Sequence, residues 1–206
     1  MNQIHDLLGS IIIGGIVLLM LLVFNGNVMQ SAGTQTFKTI VQSNLTAVTD
    51  ILEFDLRKMG YRLSATQDTA IYLADSNRIT FRGDFDDNGT VDQVQYYIDT
   101  VTAFLTNNPR DRVLHRRLNG GPPVNMYLGM IGLKIQYYGN NDIPITNTPV
   151  ASASLNTIKS VKVSISIESK DRFYDIRKSQ RMGNPFNDTT YAGAYWERKI
   201  KPQNAR

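Results

Sequence analysis

The chain begins with a long segment that carries no charge. From Leu7 to Phe37 there is no Asp, Glu, Lys or Arg, and the first part of the segment, LLGSIIIGGIVLLMLLVF, is almost wholly apolar. A run of about 20 apolar residues is long enough to cross the hydrocarbon core of a bilayer as a helix. The pattern therefore predicts a transmembrane anchor, residues 1–36, in front of one folded domain.

Three interpretations of this segment remain open. It is a cleaved secretory signal, for which Ser31, Ala32 and Gly33 offer small residues at a cleavage point. Alternatively it is a lone anchor helix, or an anchor that also packs against other helices through its small residues. The small residues are Gly9, Ser10, Gly14, Gly15 and Gly26. The adjacent pair Gly14 and Gly15 is the candidate contact for assembly.

An amphipathic pattern follows the anchor. Between residues 37 and 59 the apolar residues recur at spacings of three and four, which is typical of a helix with one apolar face. They are Phe37, Ile40, Val41, Leu45, Val48, Ile51, Leu52, Leu56 and Met59. Gly60 is a plausible end for this helix, 37–60. Anchor and amphipathic half then form one helix of about 80 Å, or two helices joined at Gly26 or Gly33.

The rest of the chain, residues 61–206, reads as strands. Alternating apolar and polar residues predict strands over 78–84, 91–99, 112–118, 131–138 and 160–169, with loops at 119–125 and 140–156. Clean alternation is typical of an antiparallel sheet with one covered face, and the apolar face of the helix is the obvious cover. The predicted fold class is α+β, with a long N-terminal helix packed on an antiparallel β-sheet.

Composition and motifs argue against an enzyme. The chain has no cysteine, so disulfides, thiolate metal sites and cysteine nucleophiles are excluded. Its formal net charge of +4 is modest. No nucleophile elbow, phosphate loop or dinucleotide fingerprint is present. His5 lies ahead of the anchor and His115 lies among arginines, so no histidine pair suggests a zinc site.

The segment DFDDNGTVD is the sharpest local motif. Asp84, Asp86, Asn88 and Asp92 place oxygen donors at positions 1, 3, 5 and 9 of a calcium loop, and Gly89 stands at position 6. Position 12, where such a loop has a bidentate glutamate, is Gln95, and the loop lies between two strands. Two interpretations are open: a calcium site, or an acidic hairpin turn whose Asp, Asn and Gly serve the backbone. Calcium is the only cofactor that the sequence suggests.

A basic group surrounds the strand at 112–118. Arg112, Arg116 and Arg117 are candidates for contact with nucleic acid or anionic lipid, which would make binding strongly dependent on salt. The alternative is an edge strand that its charges keep soluble, and the sequence favours this second interpretation over DNA binding.

The order of these segments resembles a known family. The residues DLRKMGYR at 55–62 follow the long helix, and RITFRGDFDDNGTVDQVQYYID, HRRL, MIGLKIQYY, SVKVSISIES and WERKIKPQNAR come after them. Together they resemble the type IV pilin superfamily, most closely its minor pilins and the minor pseudopilins of type II secretion, although no prepilin leader is recognisable. In place of the family's I-E-L-L stands Ile4-His5-Asp6-Leu7-Leu8, which puts Asp6 at the position of the family's glutamate.

The resemblance implies a non-enzymatic subunit. Such a protein is held in the inner membrane before assembly, with its sheet domain on the extracytoplasmic side. It then packs through its N-terminal helix with other pilin-like subunits, in or at the tip of a pilus or secretion pseudopilus. The family's acid pairs with the terminal amine of a neighbouring subunit, so Asp6 is expected to set register; alternatively it is a solvated residue near the helix start. The alternative function is a bitopic membrane-anchored binding module of an envelope complex that forms no filament.

Overall fold

One continuous helix forms the first quarter of the chain. A computed structural model describes residues 2–64, 69–99, 106–174 and 189–202 of the 206-residue protein. Helix α1 runs from Asn2 to Arg57 without interruption. Its 56 residues span about 84 Å at 1.5 Å per residue. The single long helix is therefore confirmed, and neither Gly26 nor Gly33 breaks it.

The helix is followed by an antiparallel sheet, and the α+β fold class is confirmed. The strands are β1 (Ile71–Ala74), β2 (Arg78–Gly83), β3 (Asp92–Ile98), β4 (Arg112–Leu118), β5 (Val124–Tyr138), β6 (Pro144–Ile145), β7 (Ser160–Glu168), β8 (Phe173–Tyr174), β9 (Thr189–Thr190) and β10 (Gly193–Ile200). The main sheet has the order β1-β2-β3-β4-β5-β7-β10, with β6 beside β5, and β8 pairs separately with β9. All of these strand pairs are antiparallel.

The five predicted strands are present, and their limits agree to within one residue except at β5. The alternation pattern does not predict β1, β6, β8 or β9, and β6 lies inside the predicted loop 140–156. Strand β5 starts at Val124, inside the segment predicted as a loop, and it continues through the predicted strand to Tyr138. Gly129, with φ +76°, lies in this long strand just before a register irregularity between Met130 and Gly132. The closing segment forms β10, and its residues 203–206 lie outside the described part of the chain.

The core lies between the second half of α1 and the inner face of the sheet. The buried helix residues recur at spacings of three and four: Val41, Leu45, Val48, Leu52 and Leu56; buried Met59 follows in the turn after Arg57, where α1 ends before the predicted Gly60. Strand β7 contributes every second residue, as its alternation predicts: Val161, Val163, Ile165 and Ile167. The backbone of the helix end is tied to the sheet as well, because the Gly60 N–H donates to the carbonyl of Arg82 at 2.8 Å.

Gly83 lies where the end of the helix contacts the sheet, and a substitution there tests how closely the two are packed. A Cβ at residue 83 would be 2.4 Å from the carbonyl oxygen of Lys58. Because backbone must move to make room, we expect Gly83→Ala to lower the free energy of unfolding by about 1–3 kcal/mol, measured by denaturant titration. Gly132→Ala is the control, since its Cβ would come no closer than 4.0 Å to Ser166. Equal stability of the two variants would contradict the close packing at Gly83.

Candidate functional site

The first half of α1 exposes its apolar side chains. From Ile4 to Met29 the large hydrophobic residues are about half exposed or more, and the part of the chain that the structure describes places no other element over them. This helix is long and apolar enough to span a membrane by length and composition, criteria that an N-terminal signal sequence also meets. An uncovered apolar surface of this size needs lipid or a protein partner.

The three predicted assembly residues all lie on this exposed half. Asp6 is exposed, and its backbone carbonyl accepts a hydrogen bond from the Ser10 hydroxyl at 2.9 Å. A Cβ added at Gly14 or Gly15 would meet nothing within 4 Å. The surface at the glycine pair is thus open to close approach by another helix. The role of all three residues in assembly stays a prediction.

An exposed apolar stripe continues along the second half of the helix. Ile40, Ala47, Ile51 and Phe54 are all exposed, and their spacings of seven, four and three place them on one side of a helix. The sequence pattern predicts that Ile40 and Ile51 pack against the sheet, but in the structure both side chains are exposed. Each of them comes one residue before a buried position, Val41 or Leu52. One residue is a rotation of about 100° around the helix, so their side chains point away from the sheet.

A buried ion pair fastens the end of the helix to the sheet. The Asp55 carboxylate is 2% exposed. It accepts hydrogen bonds from Arg116 Nε at 2.7 Å and from the Tyr96 hydroxyl at 2.6 Å. Burial, together with the Asp55 charge, raises the pKa of Tyr96, so the phenol stays protonated and donates. The bond to Asp55 raises the pKa of Arg116. Another ion pair at this helix end joins Glu53 to Arg198 of β10 at 2.6 Å.

The structure separates the three basic candidates. Arg116 is engaged by Asp55 in the interior. Arg112 donates to the carbonyl of Asp99 at 3.1 Å, and Arg117 donates from Nε to the carbonyl of Gly121 at 2.6 Å. The strand β4 lies between β3 and β5 and is not an edge strand, so protection of a sheet edge does not explain these charges. A nucleic-acid or lipid contact at this strand stays a prediction, and it would need Arg116 to leave its ion pair.

The four loop candidates come together between β2 and β3. Each of Asp84, Asp86 and Asp92 offers an oxygen, and these oxygens lie within 4.8 Å of one another. The Asn88 side chain lies in the same loop, where its Nδ2 donates to Asp86 Oδ2 at 2.7 Å. Burial alone would raise the pKa of Asp84. Hydrogen bonds from the Arg62 guanidinium and the Gly89 amide outweigh this effect, so the pKa of Asp84 lies below its ordinary value.

The comparisons with known proteins give a likeness to a solved structure. No protein-family model matches the chain, and no curated protein matches it with statistical significance. Among solved structures it is similar to a type IV-like pilin from Thermus thermophilus, with 12% sequence identity and a TM-score of 0.48; the alignment covers 80% of this chain and 96% of that one. A likeness at this level says nothing about function, so the function has to follow from the residues of this chain.

Sequence reasoning missed the ion pair of Asp55 and Arg116. A signal for it was present, because Asp55 falls on the buried line of the helix, three residues after Leu52. A carboxylate on an apolar face requires a cationic or hydrogen-bonding partner. The pattern thus predicts that a partner exists, but it does not say which of the many arginines is the partner.

Proposed function

We propose that this chain is a membrane-anchored, non-enzymatic assembly subunit of the pilin-like class. Its first half holds it in the membrane before assembly, its sheet domain lies on the extracytoplasmic side, and its helix packs against the helices of other such subunits. A low-abundance role at the tip of a pilus or secretion pseudopilus fits the sequence resemblance to minor pilins and pseudopilins best.

One observation carries this proposal. Exposed apolar side chains occur again on α1 past the mostly polar segment 30–39, beyond the length that spans a membrane. Lipid can cover the apolar side chains of about 20 helical residues. The stripe formed by Ile40, Ala47, Ile51 and Phe54 lies past the apolar run, in the half of the helix that packs on the sheet. A second apolar helix, aligned along the first, covers both parts at once. Spacings of three, four and seven are those of helix–helix seams.

Asp6 gives a direct test of the helix packing. A carboxylate in an apolar helix bundle is stable only with a partner charge or donor. We therefore expect Asp6→Ala to reduce the fraction of the chain recovered in sheared filaments of its native host at least about 10-fold, a loss of about 1.4 kcal/mol in assembly free energy. Membrane levels of the protein should remain unchanged.

Asp50→Ala is the matched control, because Asp50 is an exposed acid of the same helix outside the apolar run. Equal incorporation of wild type, Asp6→Ala and Asp50→Ala would remove the register role of Asp6. Persistent monomers of the wild-type chain, with no incorporation into filaments alone or with the products of neighbouring genes, would contradict the assembly function itself. That result would favour a bitopic binding module.

A further inference from the structure

The loop between β2 and β3 gathers negative charge around a buried centre. Asp84 is fully buried and Asp92 is 6% exposed, while Asp86 lies at the surface. Their oxygens lie within 4.8 Å of one another. Carboxylates this close repel one another unless a cation or a proton compensates them. Acidic groups also gather in ordinary turns, so the cluster by itself does not point to a ligand.

The observation that points to a ligand is an unpaired oxygen of Asp84. Its Oδ2 accepts hydrogen bonds from Arg62 at 2.8 Å and from the Gly89 amide at 3.0 Å. Its Oδ1 is buried and accepts from no donor in the part of the chain that the structure describes. A buried polar atom without a partner is costly, and more so when it is charged. This oxygen therefore needs a partner that the chain itself does not supply.

The charges around the cluster match a divalent cation. Of the four loop carboxylates, that of Asp87 is paired with Lys58 at 2.8 Å. Asp84, Asp86 and Asp92 remain, and Arg62 is the one basic group paired with them among the described residues. Three carboxylates and one guanidinium leave two negative charges uncompensated. A monovalent cation would compensate only half of this charge.

The donor chemistry selects among divalent cations. The cluster offers carboxylate oxygens and the amide of Asn88, with neither a histidine nor a thiolate, and oxygen donors suit calcium and magnesium rather than zinc. The first ligand positions of a calcium loop are filled in sequence, and Gly89 adopts φ +86° at the turn. Calcium accepts irregular sets of oxygen ligands, whereas magnesium demands near-octahedral geometry.

We propose that the loop 84–92 binds calcium through Asp84, Asp86 and Asp92; the Asn88 side chain would join them as a further oxygen donor by turning its Oδ1 away from Thr90, whose amide donates to it at 2.7 Å. Other contacts hold the ligands in place: Asn119 Nδ2 donates to Asp92 Oδ1 at 2.7 Å, and the Phe85 amide donates to Asp92 Oδ2 at 3.3 Å. This site is independent of the assembly function and holds whether or not the chain forms filaments.

Bound calcium would fasten the sheet to the end of the helix. The Asp84 amide donates to the carbonyl of Tyr61 at 3.1 Å, and Lys58 Nζ donates to the carbonyl of Phe85 at 3.0 Å. Arg62, from the same turn after α1, contacts the ligand Asp84. A cation that orders the loop therefore also orders the junction of stem and sheet domain, so its binding should be visible in the thermal stability of the whole domain.

The test uses the full chain in detergent micelles, stripped of metal with EDTA, and calcium chloride alone as the probe. We expect calorimetry to show one calcium per chain. Calcium at about 100 times its Kd should raise the Tm by about 5–10 °C. No heat of binding together with an unchanged Tm would overturn the proposal, and an equal shift with magnesium at the same concentration would overturn the choice of calcium.

Two neighbouring variants make the test specific. Asp86→Asn removes a ligand charge at an exposed position, so it should fold as the wild type does and bind calcium at least about 10-fold more weakly. Asp87→Asn is the matched control, because Asp87 pairs with Lys58 and asparagine tolerates its positive φ of 61°. It should bind calcium to within about threefold of the wild type. Equal weakening by both substitutions, or by neither, would contradict the assigned ligands.

Discussion

Replacing Arg116 with Met should lower the free energy of unfolding by about 3–5 kcal/mol, the usual cost of removing one partner of a buried ion pair. Asp55 is 2% exposed, and without Arg116 its charge would keep, among the described residues, the hydrogen bond from Tyr96 alone. The cost arises from a buried carboxylate without a counter-charge. It is therefore larger than the net contribution of the pair to stability. Denaturant unfolding of the full chain in micelles, followed by circular dichroism, measures it.

Arg117 is the matched control for this substitution. It is the next residue on β4, it is exposed, and its Nε donates to the backbone carbonyl of Gly121. Arg117→Met should change the free energy of unfolding by less than about 0.5 kcal/mol. The double variant Asp55→Leu with Arg116→Met should recover much of the lost stability, since neither charge then remains buried alone. Equal effects of Arg116→Met and Arg117→Met would show that the ion pair does not fasten helix to sheet.

Placing a charge on the exposed stripe should abolish assembly without affecting the fold. Ile40 is 50% exposed in the single chain, so Ile40→Asp should leave the free energy of unfolding within about 0.5 kcal/mol of the wild type. If a neighbouring helix covers the stripe, the new carboxylate is buried against apolar side chains. That burial costs at least about 2–3 kcal/mol, which corresponds to a loss of about 30- to 150-fold in assembly affinity. The fraction of the chain in sheared filaments reports this loss.

Thr46→Asp is the control for Ile40→Asp, because it adds the same charge to the same helix outside the stripe. Thr46 is exposed on the same helix, and six residues at about 100° each place it well away from the stripe. This variant should assemble as the wild type does. If both charged variants assemble normally, the stripe is not an interface; if both fail, the effect of charge is general and the stripe has no special role.

The sequence predicts the architecture well because periodicity reports burial. Spacings of three and four require a helix with one covered face, and strict alternation, as in β7, requires a half-covered strand. The periodic pattern fails at Ile40 and Ile51 for a definite reason. An apolar residue one position before the buried line satisfies the same spacing rule, yet it projects to the side. Apolar character thus indicates that such a residue needs a cover, but not that the chain's own sheet provides it.

The site was less predictable because it depends on contacts distant in sequence. The loop motif names Asp84, Asp86, Asn88 and Asp92 correctly as neighbours, since they lie within nine residues of one another. It gives no sign that Asp84 is buried with one unpaired oxygen, a fact that depends on the approach of the helix end. The pairing of Asp55 with Arg116 joins residues 61 positions apart, and only the fold selects that arginine from the others.

The proposed helix packing is tested most directly by identifying the surface that covers the stripe in the membrane of the native host. A photoreactive benzoylphenylalanine placed at Ile40, Ile51 or Phe54, and at Thr46 as the control, would report the covering surface after irradiation and mass spectrometry. Assembly through helix packing predicts cross-links from the three stripe positions to the N-terminal apolar helix of another pilin-like subunit or of a second copy of this chain, with few from Thr46. Stripe positions that cross-link no helix, or that label the same partners as Thr46 to the same extent, would contradict it.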